Sequence, residues 1–285
     1  MRAAKPGRPC PCTDRRAPLS QDDINTGTWS RANAIEWLAS VDTFTDAGER
    51  AAYAVLLGEQ QRYPVLELGV GPGRALPLLR AIATDYVGID YVPAMIEAAK
   101  RRFPDADLRV GDARDLSAFA DGHFGLVAFA FMGLDAVDRA GRARVLAEAH
   151  RVLRPGGRLW FSTFNLTGPH SRERPWNTLR YGDDDGLGTR LWTTLSWLRR
   201  LPLRLSNYRA ARARAVAGDE WMVAPLSAHD FGLLIHYTTL DEQVRQLRLA
   251  GFTGDIQAFD NRTGEPVAPG ADTSGAEAFN LLCCK

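Results

Sequence analysis

The chain has 285 residues, 45% of them hydrophobic, and a formal net charge of +1. That is enough apolar material for one large domain, or one domain with a lid, while the average charge says nothing about partners. The longest apolar run, Leu126 to Leu134, is too short to span a bilayer, and the N-terminus has charges but no apolar signal core. The expectation is a soluble, cytoplasmic, reduced protein with no membrane partner.

Charge is unevenly distributed. Residues 1–20 hold five bases and one acid, residues 171–214 hold ten Arg and four acids, and the remainder is acidic. Cys10, Cys12, Cys283 and Cys284 stand at the two chain ends. Cys-x-Cys with Cys-Cys matches no common zinc spacing, so no metal is expected.

In chain order, residues 1–22 are rich in Pro, Arg and Cys without periodicity and read as a disordered tail. Asn25–Leu38 reads as a helix with Trp29, Ile35, Trp37 and Leu38 as its apolar positions. Asp46-Ala47-Gly48-Glu49 resembles a capping box opening a helix through Leu57. Strands and helices then alternate: strand Tyr63–Leu68, helix Pro72–Ala83, strand Tyr86–Asp90, helix Pro93–Arg102 with Pro in its first turn, short strand Leu108–Val110. Phe124–Phe131 suits a strand buried on both faces. Asp138–Leu153 is a helix stopped by Arg154-Pro155-Gly156-Gly157, and Arg158–Phe164 is the fifth strand.

After Asn165 the rhythm breaks for about seventy residues. Leu191, Trp192, Leu195 and Leu198 suggest an amphipathic helix there. Helix Thr239–Gly251, a strand near Asp255–Phe259 and a last strand Phe279–Cys284 follow. Strict β–α alternation predicts a parallel sheet covered on both faces. The division expected is a tail over 1–22, cap helices and cofactor-binding core over 23–165, a substrate lid over 166–236, and a helix with a hairpin over 237–285.

The segment VLELGVGPGR, Val65 to Arg74, carries the most chemistry. An apolar strand ends in Glu67, and Gly69, Gly71 and Gly73 follow at every second position before a helix. Glycines let the backbone turn sharply and let a ligand approach it. Helix starts present unpaired N–H groups. Asp90 lies 21 residues beyond Gly69. Two nucleotide-type ligands fit this pattern, a dinucleotide such as NAD or S-adenosylmethionine. The dinucleotide fingerprint G-x-G-x-x-G is broken at Arg74. Glu67 would repel a pyrophosphate and attract an ammonium and a sulfonium.

Five segments in order, VLELGVGPGR, YVGIDYVPAMIEAAK, VGDARDLSAF, FGLVAFAFMG and RVLRPGGRLWFSTFN, with the closing LRLAGF and FNLLCCK, resemble class I S-adenosylmethionine-dependent methyltransferases. The resemblance covers roughly residues 45–165 and 237–285 and is nearest the small-molecule branch. It implies an α/β, Rossmann-like, seven-stranded, mostly parallel sheet with an antiparallel last strand, plus the lid insertion after the fifth strand.

It also implies residue roles. Gly69, Gly71 and Gly73 would form the turn under the methionine part of the cofactor. Glu67 would orient that turn and the ammonium, and Asp90 would accept from both ribose hydroxyls. Tyr91 and Met95 would pack on adenine, and Asp112 and Ala113 would read its edge. Ala130 and Phe131 would contact the methionine moiety. Arg74 would either meet the cofactor carboxylate or stand as a solvated helix-start Arg.

Methyl transfer from a sulfonium requires positioning more than chemistry, and a base only when the nucleophile carries a proton. His236, with Tyr237, is the candidate base. Trp29, Asn165, His170 and His229 are expected at the substrate. His123 and His150 are read as structural. The fourth strand lacks the Asn/Asp-Pro-Pro-aromatic motif of amino-directed nucleic-acid methyltransferases, and no Pro-Cys pair follows it for pyrimidine C5 chemistry. The function expected is methyl transfer to an oxygen or nitrogen of a small metabolite, with no nucleic-acid partner. The alternatives are an RNA or peptide methyltransferase using the Arg-rich lid, or a non-catalytic cofactor-binding scaffold. The sequence leaves the oligomeric state open.

Overall fold

The computed structural model describes residues 20–41, 46–182 and 185–285. Ser20 caps α1 (Gln21–Trp29) through a reciprocal capping box with Asp23. Ser30 and Arg31 interrupt the path before α2 (Ala32–Ser40), so the single helix expected there is two. Residues 20–22 thus belong to a folded helix rather than to a tail. Residues 1–19, with Cys10 and Cys12, lie outside the described residues. α3 (Ala47–Gly58) opens on Asp46, whose carboxylate accepts from the Glu49 N–H at 2.7 Å. The Glu49 carboxylate itself grips Arg74 at 2.6 and 2.9 Å.

The core then alternates: β1 (Tyr63–Leu68), α4 (Leu76–Ile82), β2 (Ala83–Asp90), α5 (Pro93–Arg102), β3 (Asp107–Val110), β4 (Phe124–Phe129), α6 (Arg139–Val152), β5 (Leu153–Asn165). α4 starts four residues later than expected because the glycine turn occupies residues 69–75. β4 stops at Phe129 rather than Phe131, because Phe131 and Met132 are left-handed (φ 56° and 55°). Every residue of β4 is buried, as a central strand covered on both faces requires.

After β5 come the long α7 (Leu187–Arg212), β6 (Val216–Ala217), β7 (Trp221–Leu226), a one-turn segment α8 (Ala228–Phe231), β8 (Leu233–Thr238), α9 (Leu240–Leu249), β9 (Ile256–Asp260) and β10 (Ala278–Cys284). The sheet order β3-β2-β1-β4-β5 is parallel throughout. β10 runs antiparallel beside β5 and β9. These seven strands are the expected Rossmann-like sheet. Three more extend it. The β4–β5 pairing ends at Phe129 and Phe161, while Phe164 and Asn165 pair in parallel with Tyr237 and Thr238 of β8. β7 and β6 then add antiparallel to β8. This small sheet stands at the carboxyl ends of the parallel strands, where ligands of open α/β sheets bind.

One core gathers Leu66, Val127, Phe161, Val145, Leu146 and Phe252. A second gathers Val65, Leu126, Trp160, Leu56, Leu79 and Ile96. Cys283 is buried in the first, and burial pushes its thiol pKa up. No group of three or more metal-ligating side chains occurs among the described residues.

The buried polar group that joins most elements is Asp135, just after β4. It accepts from Arg142 Nη1 (2.5 Å), Thr163 Oγ1 (2.7 Å) and the Phe164 N–H (2.6 Å). Arg142 in turn donates to Gln243 of α9 at 2.6 Å. Burial raises the Asp135 pKa to about 6 against the attraction of Arg142. Removing one partner of such a pair strands a charge in the interior. Arg142→Met should therefore lower the unfolding free energy by about 3–5 kcal/mol in urea denaturation. Asp135→Asn added to Arg142→Met should recover part of that loss. A single-variant loss under about 1 kcal/mol would contradict the role assigned to the pair.

Candidate active site

A cavity of about 290 Å³ opens at the carboxyl ends of β1, β2 and β4. Its floor is the glycine turn. Gly69 (φ 62°) needs to be glycine twice over, since a Cβ there would sit 2.5 Å from the Phe129 ring. Gly73 (φ 86°) is similarly pressed by Phe103 and faces the core rather than the cleft. Gly71 (φ 54°) has nothing within 4 Å of its Cβ position and lines the cleft, so it is the bare backbone a ligand can approach. Arg102 Nη1 donates to the Pro72 carbonyl at 2.7 Å and holds the turn from behind.

Asp90 ends β2 facing this turn. Its carboxylate accepts from the Gly71 N–H at 2.9 Å and the Val92 N–H at 2.8 Å. Burial nevertheless lifts its pKa to about 6. Tyr91, Met95 and Ala113 line an adjoining slot with Val92 and Gly111. Asp112 lines it too, held by Arg114 at 2.6–3.0 Å. Burial opposes ionisation of Asp112, but Arg114 keeps its pKa below the ordinary carboxylate value. Arg114 also pairs with Asp22 of α1, which lines the cleft as well.

Glu67 and Arg74 lie beneath the cleft rather than on its wall. The Tyr86 hydroxyl donates to Glu67, whose pKa is raised to about 7 by burial. Arg74 is neither solvated nor in the cleft. It is buried, it holds Glu49 in two hydrogen bonds, and its guanidinium lies 5.0 Å from the Phe131 ring centroid. Its connection to the cleft is through Phe131, which lines it beside Ala130.

The far half of the cavity is aromatic and apolar. Phe131 and Met132 turn into it in left-handed geometry, fixed by the Met132 N–H donating to Ser162 Oγ at 2.7 Å. α1 crosses over it. Asn25 exchanges hydrogen bonds with the Leu234 backbone (2.8 and 2.9 Å) and donates to the Ala136 carbonyl at 2.9 Å. Thr28 Oγ1 donates to the Gly232 carbonyl at 2.7 Å. These bonds set Trp29 edge-on against His229 (5.1 Å), and Trp37 of α2 meets the same imidazole (5.4 Å). His229, Asp230 and Phe231 are all left-handed (φ 49°, 57° and 62°). Asp230 is clamped by Arg200 at 2.6 Å and Arg204 at 3.0 Å, which stabilises this strained turn from α7.

His170 is the polar group at this end. Its Nδ1 lies 3.3 Å from Glu173 and its Nε2 3.4 Å from Glu277, with the ring edge-on to Phe164. Glu173 holds its pKa above the ordinary histidine value against burial.

Three residues expected here are elsewhere. His236 is fully buried and does not line the cavity. It stacks on Trp221 (5.6 Å), and neither ring nitrogen has a hydrogen-bond partner among the described residues. Burial, with Arg142 and Arg139 nearby, drives its pKa down to about 2, so it cannot take up a proton near neutrality. Strand alternation is the cause: Leu233 and Ile235 face the cleft, and His236 points to the other side of β8. Tyr237 packs on Phe164 (5.5 Å) behind the cavity wall, and burial raises its pKa. Asn165 is a buried brace, donating to the Thr273 and Ala276 carbonyls at 2.7 and 2.9 Å. Conversely, Asp22, Trp37, Arg114, Met132, Phe164 and Ile235 line the cleft without having been singled out for it.

Residues 65–157 match the family model described as a methyltransferase domain. The demethylmenaquinone methyltransferase of Beutenbergia cavernae is 39% identical over 116 residues, 41% of this chain and 47% of that protein. The malonyl-[acyl-carrier protein] O-methyltransferase of Methylococcus capsulatus is 39% identical over 105 residues, 35% and 37% of the two chains. The chain thus spans less than half the length of these curated relatives. The 1,6-didemethyltoxoflavin-N1-methyltransferase of Burkholderia thailandensis, solved with 1,6-didemethyltoxoflavin and S-adenosylhomocysteine, superposes with a TM-score of 0.56 at 16% identity, covering 94% of this chain and 92% of that one. That likeness is one of fold. With the glycine turn, Asp90 and the seven-strand order, the match identifies residues 65–157 as a methyltransferase domain, in a chain whose fold is that of class I S-adenosylmethionine-dependent methyltransferases.

Proposed function

We propose that this chain transfers a methyl group from S-adenosylmethionine to an oxygen or nitrogen of a small, flat, largely apolar acceptor. The observation that carries the reading is one continuous cavity with two chemistries. Its near half has the bare backbone at Gly71, the inward carboxylate of Asp90 and the slot of Tyr91, Met95 and Ala113. These residues fit an adenosine and its amino-acid tail. The far half, with Trp29, Trp37, Phe131, Phe164 and Ile235, suits an aromatic or conjugated ring. When bound, the sulfonium supplies an already electrophilic methyl, so the chain's residues mainly align the acceptor and exclude water.

In this reading His170 replaces His236 as the group that takes a proton from the acceptor, because it lines the cavity and the Glu173 carboxylate lies 3.3 Å from its Nδ1. Residues 166–236 act as the lid, contributing His170, Leu226, Ser227, His229 and Ile235 to the wall. The Arg-rich stretch offers little to an RNA reading. Arg200 and Arg204 are committed to Asp230, and the outward face of α7 sets its exposed arginines among leucines with the single aromatic Trp192, too few platforms for unstacked bases.

Three outcomes test this. Isothermal titration should show S-adenosylmethionine binding weakened at least tenfold by Asp90→Ala, since two hydrogen bonds to a charged acceptor contribute about 1.5–3 kcal/mol each. Asp90 accepts best as a carboxylate, so wild-type affinity should be full above its pKa of about 6 and fall below it. Asp90→Asn should flatten that dependence. NADH binding in place of S-adenosylmethionine would overturn the assignment.

On a turned-over acceptor, His170→Gln should lower kcat by about 10²–10⁴ and leave cofactor affinity unchanged. In wild type, kcat should rise with pH through a pKa above the ordinary histidine value, because the neutral imidazole is the base. Undiminished turnover of His170→Gln would leave alignment alone as the mechanism. Hydrogen exchange over 166–236 should slow when cofactor and acceptor are both present. Unchanged exchange there would count against the lid.

A further inference from the structure

α7 is turned the wrong way for a soluble helix. Its inner face is committed: Arg200 and Arg204 hold Asp230, Asn207 Nδ2 donates to the Asp230 carbonyl at 3.0 Å, and Tyr208 meets Phe231 edge-on at 5.4 Å. Its outer face carries Leu187, Leu191, Trp192, Leu195, Leu198 and Leu203. All are exposed, by 89% at Leu187, 71% at Trp192 and at least 49% at the others. An exposed apolar stripe of this kind marks a docking surface. Charge then narrows the occupant. Residues 187–212 contain six Arg and no Asp or Glu, in a chain whose net charge is only +1. Arg199 and Arg209 interleave with the stripe on the same outward side, and both are exposed.

We propose that α7 lies in the interface of an anionic bilayer, its Leu and Trp side chains among the acyl-chain boundary and its Arg side chains at lipid phosphates. A helix with large apolar side chains, Trp and only cations meets both demands of that surface. Self-pairing through the same stripe would press Arg199 and Arg209 against identical cations at close range, which disfavours a second copy. The helix is 26 residues long, about 39 Å at the α-helical rise. It interrupts its stripe with Pro202 and polar residues, and no helix among the described residues is long and apolar enough to cross a membrane. The contact is therefore parallel to the surface. Through Asp230 the docked helix grips the turn that places His229 at the cavity wall, so the acceptor pocket is coupled to the lipid-facing element.

Vesicle flotation of the full chain tests this without cofactor or acceptor, so its failure is distinguishable from failure of the proposed activity. The chain should float with phosphatidylcholine vesicles containing about one phosphatidylglycerol in four. It should bind pure phosphatidylcholine at least tenfold more weakly, and rising salt should release it. Leu195→Glu with Leu198→Glu should abolish flotation. Both positions are exposed, so S-adenosylmethionine affinity, measured on the same sample, should stay unchanged. Arg199→Ala or Arg209→Ala should each weaken partitioning roughly fivefold. Equal flotation of the double Glu variant would overturn the proposal. So would the absence of flotation, including the case in which analytical ultracentrifugation shows a dimer that the double Glu variant dissolves.

Discussion

The aromatic half of the cavity depends on one buried carboxylate. Asp135 follows β4 in a 3-10 turn and fastens that turn to Arg142 on α6 and to Thr163 and Phe164 at the end of β5. A charge moved from water to the interior costs several kcal/mol after relaxation, and three short bonds to it offset that cost only in this arrangement. What it fixes is position. Met132 and Ala136, which flank Asp135 in the chain, and Phe164 on its partner strand all line the cleft. The overhang of β5 that accepts β8 begins at the same place. The glycine-turn half has a different anchor, the Gly71 N–H donating to Asp90, and the two halves meet at Phe131.

The parts of the molecule legible in the sequence are those fixed by near neighbours along the chain. Gly69, Gly71 and Gly73 are spaced for a turn whatever else surrounds them, and Asp90 follows at the end of the next strand. The seven-strand core is likewise legible, because β–α alternation and buried runs such as Phe124–Phe129 specify it locally. Errors inside it were at boundaries. β4 ends two residues early because Phe131 and Met132 turn left-handed, a conformation no local preference of Phe or Met favours.

The acceptor pocket was less legible because its walls come from remote elements. Trp37, Phe164 and Ile235 lie on three separate elements, and only tertiary structure brings them together. His236 was the instructive error. Leu233, Ile235 and Tyr237 share one face of β8 by strand periodicity, so the sequence already contained the signal that His236 faces away. His170 stands apart from any regular repeat, and its partner Glu277 is over a hundred residues distant. Arg74 could not be assigned from its place at a helix start, since its partner Glu49 lies on a helix upstream of the whole sheet.

α1 joins both halves. Asp22 meets Arg114 at the slot of Tyr91 and Met95, and Trp29 meets His229 at the aromatic end, seven residues and two helical turns apart. The proposed methyl transfer requires the two halves to form one bipartite site. A crystal structure with S-adenosylhomocysteine tests it most directly. The expected result has both ribose hydroxyls within hydrogen-bond distance of Asp90, adenine between Met95 and Ala113, and the sulfur facing the space bounded by Phe131, Phe164 and His170. A product bound with its ribose away from Asp90, or with its sulfur turned from that aromatic space, would contradict it.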